Sequence, residues 1–355
     1  MIKKIIYIIP LILCLSVQVS AQEENTYYST AEKFISEYSV DFEQLKEKPF
    51  ETLLETAGTA VKKAVGKPLK IFYKITAVLL MSSFISLFSS GISDKVMNVV
   101  NVVTMTVLFT NVFQDISMIT EAIVEGLVDV RNFMTAFLPV FAGISFASGE
   151  MVTSAVYTGF FMICVVTVAN FCISYVIPSV NLFLAAGIAS SVSPVIKLES
   201  LCEFYVKAVK MAMTAAVSVI CFVLTLQTAI AQGQDSLAVK TGKLIVNSAV
   251  PIIGSALQSA VGSVYASMGV LKGFFGIAGI MVVINMFLPS IVILAINWTG
   301  YYLTAVLGEI LENDTAVQIL TKFRQVMEIL LSVSVLFMVL LIFSMTVMIK
   351  TTQGV

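Results

Sequence analysis

Apolar residues run through this chain in blocks of membrane-spanning length, and the charged residues gather between them. Seven blocks approach the length a spanning helix needs: Ile71–Ser90, Val96–Phe113, Phe133–Ser148, Met151–Ile177, Ala208–Ala231, Gly273–Ile296 and Ile329–Ile349. That length is roughly 17–25 residues. Asn181–Ile196, Leu244–Val270 and Tyr301–Leu311 are shorter or weaker, and read as re-entrant, interfacial or buried pieces. The pattern predicts an all-α, polytopic helical membrane protein with about seven to ten membrane-embedded helices. Pieces of mixed character lie between the blocks. Asp115 to Asn132 sets Ile116, Ile119, Ile123, Leu127 and Val130 on one face and Glu121, Glu125 and Asp129 on another. Asp314 to Glu328 opens at an N-cap residue and turns Val317, Leu320, Phe323 and Met327 to one side. Both are expected as interfacial amphipathic helices or as subunit contacts.

The first residues follow a different plan. Lys3 and Lys4 precede the apolar run Ile5–Leu15, and Val19-Ser20-Ala21 closes it with small residues, the layout of a secretory signal peptide over 1–21. Cleavage is expected between Ala21 and Gln22. An export signal would leave 22–70 on the outer side of the membrane as an extracytoplasmic amphipathic helical segment, with 71–355 forming the multipass membrane domain. Within 22–70, Ser29 with Glu32 makes a capping box, and Pro49 opens a second helix with Glu51 and Glu55 early and Lys62 and Lys63 late. Lysine placement constrains topology less. Lys197, Lys207 and Lys210 form a basic connection that prefers the cytoplasm, while Lys240 and Lys243 pull the opposite way if every block crosses once. At least one weak block is therefore expected not to cross.

Composition narrows the chemistry. With 58% hydrophobic and 12% charged residues and a mean hydropathy of +0.97, the chain lies far from soluble domains. A net charge of -1 gives no basic footprint for nucleic acid. Histidine is absent, which removes the commonest general base and neutral metal ligand. The five cysteines form no C-x-x-C pair, and most sit in apolar runs where a thiol behaves as a small hydrophobe. No cofactor, metal or catalytic residue is expected. Lys240-Thr241-Gly242 lacks the serine nucleophile that would make it a penicillin-recognising triplet. Gly273-x-x-Gly276-x-x-Gly279 lacks a dinucleotide turn's opening, and Asn297-Trp298-Thr299 matters as a sequon only in a glycosylating lumen. Glu150 reads as a hairpin tip, and Lys272 and Glu309 as span ends. With ionisable groups so scarce in the apolar blocks, ion-coupled transport is disfavoured. The amides Asn170, Asn181, Asn247, Gln258 and Asn285 read as interhelical hydrogen bonders.

One stretch concentrates small residues. From Lys240 to Pro289, Ser255, Ser259, Ser263 and Ser267 recur four apart, with Gly254, Gly262 and Gly269 interleaved and Gly276 and Gly279 beyond Lys272. Such a face lets helix backbones approach closely. Ser255, Ser259, Gly262, Ser263, Ser267, Gly269, Gly276 and Gly279 are thus candidates for helix packing or for the polar lining of a conduit or re-entrant element. Lys240, Lys243, Pro251, Gly254, Lys272, Asn285 and Pro289 are the candidate functional polar or hinge positions.

The order of several motifs resembles one family. Phe133-Met134-Thr135-Ala136-Phe137-Leu138-Pro139-Val140, then Gln227 and Asp235 leading to Lys240-Thr241-Gly242-Lys243, Val250-Pro251-Ile252-Ile253-Gly254, Lys272 with Gly276-Ile277-Ala278-Gly279, and Pro289 together resemble the stage III sporulation protein AE family of endospore-forming bacteria. The likeness runs from about Asp115 to Lys350. It implies a non-enzymatic multipass subunit of a sporulation channel between mother cell and forespore, placed in the mother-cell membrane and required for late forespore gene expression. The implied partners are the other stage III sporulation A-operon proteins, including a cytoplasmic ATPase, and stage II sporulation protein Q on the forespore side. The alternative is a stand-alone small-molecule permease with helix breaks at Pro139, Pro178 and Pro289.

Overall fold

The computed structural model describes residues 66–87, 94–192, 199–249 and 254–350, with isolated helical positions at Glu55, Gly58, Thr59 and Lys62. The expected signal peptide and most of the outer segment lie outside the described residues. Six helices long and apolar enough to cross a membrane make up the rest. They are α1 (Gly66–Leu87), α2 (Asp94–Ala147), α3, α4 (Glu199–Ala249), α5 (Gly254–Ile310) and α6 (Asp314–Lys350). α3 is one continuous rod made of Met151–Val156, a π-helical turn at Tyr157–Phe161, Met162–Phe171, a second π-helical turn at Cys172–Val176, and Ile177–Val192.

Among the described residues six helices stand where seven to ten were expected, because polar side chains do not interrupt a helical backbone. The amphipathic stretch Asp115–Asn132 carries no proline, so the hydrogen-bond ladder passes through it and joins two expected spans into α2. In the same way, α5 absorbs Gly273–Ile296 and all of Tyr301–Leu311 but its last residue, and α6 absorbs Asp314–Glu328. The expected element Leu244–Val270 does not exist as a unit: α4 ends at Ala249 and α5 begins at Gly254. Lys207 and Lys210, expected in a connection, lie inside α4, where Lys210 pairs with Glu328 of α6. Pro139 and Pro289 are interior to α2 and α5. Pro178 stands two residues beyond the second π-helical turn of α3, where a widened backbone accommodates a missing N–H.

The helices gather around α6. Ala316, Leu320, Phe323, Met327, Leu330, Val333, Phe337, Leu340, Ser344 and Met348 recur at three- and four-residue spacing and are all fully buried. α6 packs on α5, α4, α3 and α2. Half of its apolar window lies inside the protein, against 17% of the window in α4. In a bilayer, lipid tails solvate leucine as well as another leucine does, so this core is held by close packing more than by exclusion of water. Polar stitches add register. Thr104 of α2 and Asn313 both donate to the Ser82 hydroxyl of α1, each at 3.0 Å. Asn170, expected to bridge helices, accepts from Arg131 of α2 at 2.8 Å.

Two tight turns carry the chain between paired helices, and both close the helix before them with the same pair of hydrogen bonds. After α2, Glu150 N–H donates to Ser145 O at 3.1 Å and Gly149 N–H to Phe146 O at 3.0 Å, with Gly149 at φ 88°. This is a Schellman closure with glycine in its left-handed position. After α5, Asn313 N–H donates to Gly308 O at 3.0 Å and Glu312 N–H to Glu309 O at 3.1 Å. Here the left-handed residue is Glu312, at φ 52°. The N-cap of α6 is Asn313, whose Oδ1 accepts from Ala316 N–H at 3.1 Å; Asp314, expected in that role, is the first helical residue. A non-glycine residue in the left-handed region costs on the order of 1 kcal/mol. Glu312→Gly is therefore expected to raise the thermal unfolding midpoint of the detergent-solubilised protein, and a lowered midpoint would contradict the strain.

Candidate functional site

Between Lys243 and Glu309 the only charged residue is Lys272. It lies fully buried in α5. A lone ammonium there costs several kcal/mol unless a partner satisfies it. The partner is Glu150, whose Oε2 accepts from Lys272 Nζ at 2.5 Å, with the glutamate side chain only 11% exposed. Glu150 is delivered by the Schellman turn, since the left-handed Gly149 reverses the chain just before it. A Cβ on Gly149 would stand 3.5 Å from the side chains of Tyr265 of α5 and Val239 of α4, so the turn runs close beside both neighbours.

A second carboxylate completes the cluster. Asp235 of α4 is 5% exposed. Its two oxygens accept from the backbone N–H groups of Val152 at 2.8 Å and Thr153 at 2.9 Å. These are unsatisfied donors of the first turn of α3, so α4 caps α3 from outside. Glu150 itself makes no side-chain cap bond there, which leaves its carboxylate to Lys272. The charge of Asp235 also acts on Lys272.

Aromatic rings enclose the ammonium. Phe133, Phe137 and Phe141 stand one turn apart on α2, with successive centroids 5.2 and 5.8 Å apart. Tyr157, from the first π-helical turn of α3, meets Phe141 edge-on at 6.2 Å. Lys272 Nζ lies 5.8 Å from the Phe141 centroid and 6.0 Å from that of Tyr157, within reach of a cation–π attraction. Glycines allow this proximity. A Cβ on Gly276 would overlap the Ile349 side chain and come within 3.3 Å of Phe141, and one on Gly279 would lie 2.5 Å from Phe137. Lys272, Gly276 and Gly279 thus share the face of α5 that closes on the phenylalanine ladder.

The other sequence candidates fall elsewhere. Ser259, Ser263 and Ser267 are exposed on the N-terminal half of α5, with Ser263 and Ser267 donating to the carbonyls of Ser259 and Ser263. Gly262 and Gly269 are half-buried there. The small face therefore divides: Gly276 and Gly279 pack inside, and Ser259, Ser263 and Ser267 face outward. Gly254 and Ser255 open α5, and Lys243 lies in α4, with their side chains outside the described residues, as is Pro251 altogether. Lys240 is exposed in α4, Asn285 is half-buried and Pro289 is exposed in α5.

The expectation that ionisable groups are nearly absent from the interior is overturned. Glu150, Lys272 and Asp235 are buried together, so the reading of Glu150 and Lys272 as tip and span-end residues fails. With it goes the argument against ion coupling from missing buried carboxylates. The signal was present in the sequence as one lysine alone in a long apolar run. Its partners lie 122 and 37 residues away, beyond any local pattern.

The comparisons with known proteins bear on the whole of this arrangement. The family model for stage III sporulation protein AE matches residues 34–352, nearly the full chain. The chain belongs to the stage III sporulation protein AE family. Among curated proteins and solved structures, none is significantly similar to it. It is a multipass helical membrane protein in which the buried charges of Lys272, Glu150 and Asp235 form one interhelical lock.

Removing one partner of a buried pair leaves the other charge uncompensated, at a cost of about 3–5 kcal/mol. Glu150→Gln is expected to lower stability by that order in detergent or nanodiscs. Combining it with Lys272→Met is expected to recover at least about half of the loss. If the double variant unfolds as readily as Glu150→Gln alone, the two residues are not energetically coupled.

Proposed function

We propose that the chain is a non-enzymatic integral-membrane subunit of a sporulation channel, a secretion-like complex linking mother cell and forespore and required for late forespore gene expression. The observation that carries this reading is the family match over residues 34–352. On this reading the protein sits in the mother-cell membrane that surrounds the forespore. It works with the other stage III sporulation A-operon proteins, a cytoplasmic ATPase among them, and with stage II sporulation protein Q across the intermembrane space.

Helix dimensions support a role inside an assembly. The apolar window Ser200–Thr241 of α4 holds 42 residues, roughly 63 Å of helix at ~1.5 Å per residue, about twice a hydrocarbon core. Leu201, Phe204, Met211, Val219, Phe222, Leu226, Ile230 and Leu237 are exposed along it. One bilayer crossing covers only part of such a face unless the helix is steeply tilted, and neighbouring subunits would cover the remainder. The N-terminal half of α5, with exposed Ser259, Ser263 and Ser267 beside half-buried Gly262 and Gly269, offers a second surface suited to close helix contact. The permease reading gains nothing from Pro139, Pro178 and Pro289, through which the helices continue.

Two measurements test the proposal. A strain lacking the chain is expected to engulf the forespore and then fail to express late forespore reporters; normal sporulation with full late transcription would end the reading. Ser263→Leu enlarges the exposed face of α5 without touching the buried core. It is expected to remain membrane-inserted while reducing co-purification of the other operon proteins by about tenfold, the effect of 1–3 kcal/mol of overpacking. Unchanged co-purification would remove α5 from the subunit interface.

A further inference from the structure

A half-open cleft of about 270 Å³ lies between α1, α2 and α5, away from the charge lock. Its walls are mainly apolar, with Pro68 and Ile71 from α1, Ile119 and Ile123 from α2 and Ile293 from α5. Three polar side chains line it as well: Asp115, Ser290 and Asn297. Each has hydrogen-bonding capacity left over. Among the described residues Asp115 makes no hydrogen bond and no ion pair, and Ser290 makes no side-chain hydrogen bond. Asn297 spends its amide N–H on the Ile293 carbonyl at 2.8 Å, which leaves its Oδ1 free to accept. Lys74 of α1 acts on Asp115 through its charge without pairing with it.

From this geometry we infer that the cleft binds a primary alkylammonium group, with its positive end on Asp115 and its apolar body against the isoleucines. A carboxylate set among apolar helices calls for a cationic partner. A primary ammonium carries three N–H donors, one each for a carboxylate, an amide oxygen and a hydroxyl. The cleft is slightly below the ~300–1,000 Å³ of drug-sized pockets, so it suits a short amine or the head of a larger amphiphile. Trp298, Tyr301 and Tyr302 follow Asn297 directly on α5, as aromatic residues do at the level of lipid headgroups. The ammonium therefore has two sources, a free amine or an ethanolamine phospholipid whose phosphate would meet Lys74. The inference stands apart from the channel reading and does not depend on it.

The test uses the full chain in phosphatidylcholine nanodiscs at neutral pH, titrated with hexylammonium, with empty nanodiscs subtracted. Saturable binding is expected, weaker by about tenfold or more in Asp115→Asn, as for loss of a charged hydrogen bond. Ala122→Phe, which fills the cleft from its rim and leaves Asp115 in place, is expected to weaken binding similarly. Hexanol is expected not to saturate. Each variant's unliganded unfolding midpoint verifies that it is folded. Native mass spectrometry from mixed ethanolamine and choline lipids then distinguishes the sources. Selective retention of the ethanolamine lipid by the wild type and not by Asp115→Asn assigns the group to a headgroup, and hexylammonium binding without lipid preference assigns it to a free amine. Absence of saturable binding by the wild type, equal binding by Asp115→Asn, or equal binding of hexanol would overturn the inference.

Discussion

An ammonium buried among apolar helices has to be neutralised where it stands, and that requirement at Lys272 organises much of this protein. The carboxylate that meets it comes from Glu150, in the turn between α2 and α3. For the pair to form, α5 must approach α2 closely, which Gly276 and Gly279 permit against Phe141 and Phe137. The turn must also be held in place, and Asp235 does so by accepting from the first N–H groups of α3. One electrostatic constraint thereby links α2, α3, α4 and α5. Because each unpaired member costs more than the pair gains, such a cluster favours a specific arrangement more than it favours stability.

Around this lock the bundle is uneven. α6 is enclosed by α5, α4, α3 and α2, whereas α4 and the first half of α5 leave most of their surface outside. In water that exposure would read as a fault. In a bilayer it reads as lipid contact over about 30 Å of helix, and the apolar windows of α4 and α5 run longer than that.

Much of this was legible in the residues before any coordinates. Blocks of apolar residues announced an all-helical membrane protein, and the ordered motifs from Phe133 to Pro289 pointed to the family later matched over residues 34–352. The helix count was not legible. Asp115–Asn132 looks like a surface piece between two spans, yet an amphipathic stretch of good helix formers continues a helix as readily as it ends one. The serine and glycine run was visible as a small-residue face, but which half of it packs inward depended on where Phe137 and Phe141 stand.

Which segments prefer a bilayer is written in the residues themselves, because transfer of a side chain into hydrocarbon is a property of that residue and its near neighbours. The sequence also exposed Lys272 as a lone charge, while leaving its neutralisation open. That Glu150 and Asp235 converge on Lys272, and that Asp115, Ser290 and Asn297 share one cleft, emerges from the packed bundle alone. Those relations join residues up to 182 positions apart. They follow from how the rods pack, and packing depends on complementary shape along whole helix faces, which no local window of residues contains.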